Sequence, residues 1–391
     1  MKRRNRLFSA LLSCLLLVSV LSPNALAIED EAETQPDDLP AETAVVVYSL
    51  DELQAAISAA DDGDTITLGD RINITENCVI GDAEKQITIV PLDESVKMYL
   101  CVFGETATDV VFQNLVIDGK NLPCTYAIDI HSYRVADELA YCTFDNITVE
   151  NVASTWIPIT IMATSAEIKN CRFTNNTGHL CGALRIGTTA YTNITDSTFS
   201  CNKSSGVGGA INCQGKLEMT DCTINGNEAA FETTDAHAGG GILVNSAAYC
   251  KMTSCTITGN SATLGGGVAI TGTANITGCT ITANVATLGG GVAVDGDTNI
   301  IDTAIYGNIG KNGADDVRMI ADAAFRMSYT GSMDSVYIGK QPIGFYKDYI
   351  GNRFDANSNA VFIGEDQLRF TRAGDAVLDR LVDIAVGMPC D

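Results

Sequence analysis

From about residue 140 onward, apolar side chains fall on alternate positions in runs of three to five residues, and glycine, asparagine or threonine separates the runs. Residues 254–277 show one unit: Cys255-Thr256-Ile257-Thr258, then Gly267-Val268-Ala269-Ile270-Thr271, then Ala274-Asn275-Ile276-Thr277. Period-two alternation predicts half-buried strands, and three short strands per unit predict a triangular coil. Val268 and Ile270 are expected to point inward and Ala269 outward. The next segment, residues 278–301, matches the first at 16 of 24 positions. Such a unit cannot bury its own apolar face, so the copies are expected to stack.

The repeat extends in both directions. An apolar residue followed three positions later by asparagine recurs as Phe173/Asn176, Phe199/Asn202, Ile224/Asn227, Ile257/Asn260, Ile281/Asn284 and Ile305/Asn308, with asparagine spacings of 26, 25, 33, 24 and 24. Leucine-rich repeats need several leucines per unit, and propeller blades need about 40 residues, so neither fits. The expected fold is all-β, a parallel β-helix solenoid with coils about 4.8 Å apart. Residues repeated on successive coils then lie above one another. The six asparagines are expected to form a hydrogen-bonded turn ladder. Glycines at 239–241, 265–267 and 289–291 are expected to give tight bends.

Cys171, Cys222, Cys255 and Cys279 share one inward repeat position, and the last three fall on consecutive coils. A buried stack of thiols is expected there rather than disulfides, since free cysteine packs as a small hydrophobe. The chain has 14 cysteines, and no C-x-x-C pair points to a structural zinc site.

Ahead of the coils, Ser49 stands three residues before Glu52, a capping box that predicts a helix through Ala60 as an N-terminal cap. Residues 28–44 are acidic and proline-containing with no basic residue, which predicts a disordered leader. Residues 1–27 combine Lys2, Arg3, Arg4 and Arg6, an apolar run from Leu7 to Leu21 and a small-residue site at Ala25-Leu26-Ala27. That pattern predicts a secretory signal peptide, hence a secreted or cell-surface product with no membrane span after cleavage. The β-helix is expected over residues 45–317, and residues 318–391, which lose the period, are expected to cap the far end. The formal net charge of −24 argues against nucleic acid and anionic lipid as partners and leaves a carbohydrate or host-surface ligand. Nothing in the sequence sets the oligomeric state.

Several residues carry a resemblance. Gly208-Gly209-Ala210-Ile211, with Phe173-Thr174-Asn175-Asn176 and Phe199-Ser200-Cys201-Asn202, resembles the GGAI and FxxN repeats of polymorphic outer-membrane proteins. Those belong to the wider pectin-lyase-like, right-handed β-helix group. The resemblance covers about residues 140–317 and implies a right-handed coil used for adhesion. It departs from that family at its end: the residues after 317 are too few for a membrane barrel of eight strands of about ten residues.

Enzymes of the wider group place carboxylates, arginine and Ca²⁺ along an outer face. Asp129 and His131 in "AIDIH" and His179 with Arg185 in "GHL…LRIG" are the candidates for such a site, and for Asp129 and His131 a solvated strand position is the expectation. Ungapped alignment of residues 179–186 with 237–244 puts His179 and His237 on one edge two coils apart, too far for one metal ion. The insertion at residues 228–236 lengthens one coil, and its Phe231 and Asp235 are candidate sugar contacts. Asp295 and Asp297 offer too few oxygens for a firm Ca²⁺ site. No cofactor is expected. The reading is a non-catalytic adhesion or glycan-binding protein, with a polysaccharide lyase or glycosidase, and then a structural spacer, as alternatives.

Overall fold

A computed structural model describes residues 45–311, except 104–105, 132–139, 163 and 231–237, and short segments between 313 and 383. Residues 1–44 lie outside the described part, and so do most of residues 318–391, which takes in the expected signal peptide, leader and most of the C-terminal cap.

The chain winds as a parallel β-helix. Three long sheets run its length: sheet A from Val45–Val47 to Ala304–Tyr306, sheet B from Ile72–Ile74 to Phe345–Lys347, and sheet C from Cys78–Gly81 to Phe325–Ser328, with eleven, eleven and ten strands. Every pairing within them is parallel, each strand bonding its counterpart one coil away. A fourth row, sheet D, begins at Pro123–Cys124 and runs through two- to four-residue strands such as Lys203–Ser204 and Ser261–Leu264. The triangular expectation is thus extended by one short side. In the later coils, sheet D arises because the four residues between the ladder asparagine and the glycine bend, 261–264 and 285–288, are long enough to pair with the next coil.

Inward positions form one continuous core, with Ile66, Ile89, Ile117, Val149, Phe173, Phe199, Ile224, Ile257, Ile281 and Ile305 stacked coil on coil. Phe173 and Phe199 stack with ring centroids 4.6 Å apart, as do Phe112 and Phe144 at 5.0 Å. Val268 and Ile270 lie in this core, whereas Ala269 faces away from it and is still fully buried. The cause is the glycine bend: Gly265 and Gly289, at φ +68° and +65°, fold their segments back against the outer side of Ala269 and Ala293. A Cβ on Gly265 would lie 2.8 Å from Ala269 Cα.

Among the described residues helix occurs once, at Leu50–Ala59, and no helix is long and apolar enough to cross a membrane. Ser49 Oγ accepts from Glu52 N, while Glu52 Oε2 accepts from Tyr48 N at 2.6 Å. Leu50, Leu53 and Ile57 enter the core, so the helix covers the first coil's open end.

Asn176, Asn202, Asn227, Asn260, Asn284 and Asn308 are buried. Each of the first five donates from Nδ2 to the next Oδ1 at 2.9–3.0 Å, and the same oxygen accepts the donor residue's backbone N–H. The second Nδ2 hydrogen goes to a backbone carbonyl of the preceding coil, such as Ile224 O for Asn260. The ladder ends on Asp316 Oδ1, which accepts from both Asn308 N and Nδ2 at 2.8 Å.

Just before each ladder asparagine, and before Val152 one coil earlier, the chain takes one left-handed residue: Asn151, Asn175, Cys201, Gly226, Gly259, Ala283, Gly307. Alanine, like cysteine and unlike glycine or asparagine, fits positive φ poorly. Ala283→Gly is therefore expected to raise stability by about 1 kcal/mol, readable as a higher thermal midpoint.

The twelve described cysteines are all free. Cys171, Ser197, Cys222, Cys255, Cys279 and Thr303 fill one inward row, in which Cys171 N donates to Ser197 Oγ and Cys279 N to Thr303 Oγ1. Each thiol of the row donates to the carbonyl two residues back. Burial pushes the thiols of Cys142, Cys171, Cys181 and Cys213 up to about 12. Native alkylation near pH 8 is expected to modify Cys201, which is exposed, before any other described cysteine. Rapid labelling of Cys222 or Cys279 would contradict the buried row.

Candidate functional site

A β-helix offers its outward side chains as rows, one residue per coil. In sheet B the central outward row is Asn73, Cys101, Asp129, Thr160, Arg185, Asn212, then Leu243, Ala269 and Ala293. It is polar in the early coils and apolar later, where the glycine bends cover it.

Asp129 corrects the sequence expectation. Its side chain is 1% exposed, not solvated, and its carboxylate meets His131 Nε2, whose side chain is 30% exposed. Neither carboxylate oxygen has a hydrogen-bond donor in bonding geometry, and the neighbouring Thr160 hydroxyl is also unpaired. Cys101 is the register partner of Asp129, and Phe103 that of His131, so Cys101, Asp129 and His131 share one face. Their ligand-type atoms all lie within 4.8 Å of one another. Burial, then the Asp129 carboxylate, pushes the Cys101 thiol up to about 11, and the same two causes raise Tyr126. Without a cation, Cys101 is therefore no thiolate nucleophile.

Arg185 lies two coils further along the Asp129 row, and the remaining described candidates are dispersed. Arg185 is not simply solvated: its Nε and Nη2 donate to Gln214 Oε1 at 3.3 and 2.9 Å. His179 is exposed, with Nδ1 2.9 Å from Ser205 Oγ and its ring 5.7 Å from that of Trp156. Asp295 is half-buried and Asp297 exposed, and neither belongs to a described cluster of three metal-ligand groups. His237, Phe231 and Asp235 lie outside the described residues. An open depression of about 240 Å³ at the start of sheet B is lined by Asp70, Arg71, Asn73, Ser95, Lys97 and Met98.

Sheet C carries a face that sequence reasoning missed. Its strands alternate inward apolar residues, such as Leu217/Met219 and Cys250/Met252, with outward polar ones. One outward row reads Tyr141, Ser165, Tyr191, Lys216, Tyr249, Thr273. The tyrosines thus fall on alternate coils, about 9.6 Å apart by two strand spacings. Lys216 Nζ sits 4.4 Å from the Tyr191 ring centroid and 5.9 Å from that of Tyr249, so one cation holds two rings. Tyr141 Oη donates to Glu167 Oε2 at 2.8 Å, and Asn275 Nδ2 donates to Tyr249 Oη at 3.0 Å. Lys216 also pairs with Glu218 at 2.8 Å, an exposed contact whose hydrogen bond lowers the Glu218 carboxyl and raises Lys216. Lys169 pairs with Asp145 at 3.2 Å. Two ion pairs thus offset charge on this face, while Glu167 and Lys251 also face outward in the row beside the tyrosines, with threonine and asparagine side chains between. A recurring Ala-Tyr dipeptide at residues 140–141, 190–191 and 248–249 is the signal that marks it in the sequence.

Comparison with known proteins concerns the fold. A family described as right handed beta helix region matches residues 97–238, and the whole coil is a right-handed parallel β-helix. No curated protein sequence matches the chain. Among solved structures, tailspike protein 3 of bacteriophage CBA120 is similar at 11% identity and a TM-score of 0.35, covering 82% of this chain and 64% of that one. The PL6 family alginate lyase AlyGC is similar at 12% identity and a TM-score of 0.25, covering 88% and 57%. The chain spans less than two thirds of either.

Proposed function

We propose that this chain is an extracellular, non-catalytic glycan-binding protein that holds an extended, uncharged glycan along the exposed face of sheet C. The carrying observation is the spacing of Tyr141, Tyr191 and Tyr249 on alternate coils, with Lys216 fixing two of the rings. Aromatic rings give a sugar's apolar face a flat platform, and placing them on a packed scaffold avoids the entropy cost of ordering a loop. Lys169 and Lys216 offset Asp145 and Glu218 on this face, which suits a neutral ligand, and the acidic remainder of the molecule disfavours anionic polymers. The basic, apolar and small-residue pattern of residues 1–27 supports the extracellular part of this reading.

The test is retention of the purified chain on immobilised plant, microbial and mucin-type glycans. Binding to at least one neutral polymer is expected, weakened about tenfold or more by Tyr191→Ala/Tyr249→Ala, an effect of about 1.4 kcal/mol. Unchanged retention in that variant, or none by the wild type, would overturn the proposal. One observation favours a second reading, cleavage: Asp129, His131 and Arg185 lie on one side of sheet B. New reducing ends or unsaturated uronate products from the same panel would establish it instead.

A further inference from the structure

We infer that Cys101, Asp129 and His131 form a binding site for a divalent transition metal of the zinc class, on sheet B and separate from the tyrosine face of sheet C. Two independent observations support it. The first is convergence: parallel register sets Cys101 beside Asp129, and the two-residue strand period brings His131 to the same side, so a thiol, a carboxylate and an imidazole meet within 4.8 Å. The second is an unmet demand. Asp129 is fully buried, yet beyond its contact with His131 Nε2 neither carboxylate oxygen receives a hydrogen bond, although buried carboxylates are ordinarily satisfied by several donors or by a cation.

The donor set selects the ion. Calcium and magnesium take six or more oxygen ligands or keep several waters, and this cluster supplies one carboxylate. Thiolate, imidazole and carboxylate together suit zinc at bond lengths of roughly 2.0–2.3 Å. Asp129 and His131 already meet, and with His131 30% exposed and Asp129 buried, the solvent-facing side of the cluster is the imidazole. Binding is balanced by proton release: the Cys101 thiol gives its proton to solvent as the sulfur–metal bond forms, and no oxidant or reductant takes part. Three protein ligands with one open position is the arrangement of zinc sites that bind an exchangeable ligand.

The experiment uses the full chain, stripped of metal and titrated with Co²⁺. Thiolate-to-cobalt charge-transfer absorption is expected to saturate at one ion per chain, and to be displaced by Zn²⁺ and not by Ca²⁺. Cys101→Ser should abolish the charge-transfer band. His131→Ala, a change at a partly exposed side chain, should weaken binding about tenfold or more with unchanged circular dichroism. If Cys101→Ser fails to fold, the His131→Ala affinity decides. A band that persists in Cys101→Ser, an affinity unchanged in His131→Ala, or no thiolate absorption at saturating Co²⁺ would overturn the inference. Glycan retention by sheet C should be the same with and without metal, so the two proposals fail separately.

Discussion

Asn260→Ala is expected to cost roughly 3–6 kcal/mol of stability. The side chain makes four bonds in a buried setting: its Nδ2 donates to Ile224 O and Asn284 Oδ1, and its Oδ1 accepts from Asn227 N and Nδ2, all at 2.9 Å. Truncation strands those partners where water cannot replace the lost amide, and each stranded group costs about 1–3 kcal/mol. Asn260→Asp is expected to do no better at neutral pH, because a carboxylate can accept from Asn227 and cannot donate to Ile224 O or Asn284 Oδ1. Urea unfolding followed at Trp156, the chain's one tryptophan, reads the effect. The half-buried Thr258 on the same coil provides a control, whose alanine variant should shift stability by less than about 0.5 kcal/mol. An Asn260→Ala loss as small as that control's would show that the ladder contributes little.

Gly209→Ala should be at least as damaging, about 3 kcal/mol or more, and for a different reason. A Cβ there would lie 1.8 Å from Gly240 O, a backbone atom of the next coil that cannot move without breaking the stack. Gly226→Ala provides the contrast. Its Cβ would meet nothing closer than 3.6 Å, but its φ of +65° is unfavourable for alanine, so about 1 kcal/mol is expected. Thermal midpoints of the two variants separate close approach from backbone strain. Equal losses would mean that steric contact between coils is not what requires glycine at 209.

The parts of this fold that were legible in the sequence are those that recur once per coil. Asn260 and Asn284 share a position with Ile257 and Ile281 ahead of them because each coil must solve the same turn and the same inward packing. Sheet D was not legible, since two-residue strands such as Glu228–Ala229 carry no periodicity. The burial of Ala269 was not legible either, because a single strand shows which side a residue faces and not what folds back over it.

The candidate sites were harder to read for physical reasons. Asp129 and Cys101 are 28 residues apart in coils that precede the ladder: the asparagine stack begins at Asn176, and the next coil back presents only the Val152 backbone N–H to Asn176 Oδ1. Those coils are joined instead by Asn146 Nδ2 to Asn114 Oδ1 and Asn151 Nδ2 to Asp118 Oδ1, 32 and 33 residues apart, spacings outside the 24-to-26-residue repeat of most later coils, so a search at that period does not find their register. Tyr141, Tyr191 and Tyr249 repeat every second coil, so a search at the period of one coil passes over them. His179 and Arg185 were legible as residues, but their partners Ser205 and Gln214 lie one coil on.

Glycan binding along sheet C by tyrosines on alternate coils is tested most directly by measuring affinity against oligosaccharide length, using fragments of whichever neutral polymer the chain retains. The account predicts a step: fragments too short to span the roughly 9.6 Å between Tyr191 and Tyr249 bind weakly, the first that spans it gains about tenfold, and Tyr249→Ala removes the step alone. Affinity that is already full for a single sugar, or a step that survives Tyr249→Ala, would contradict it.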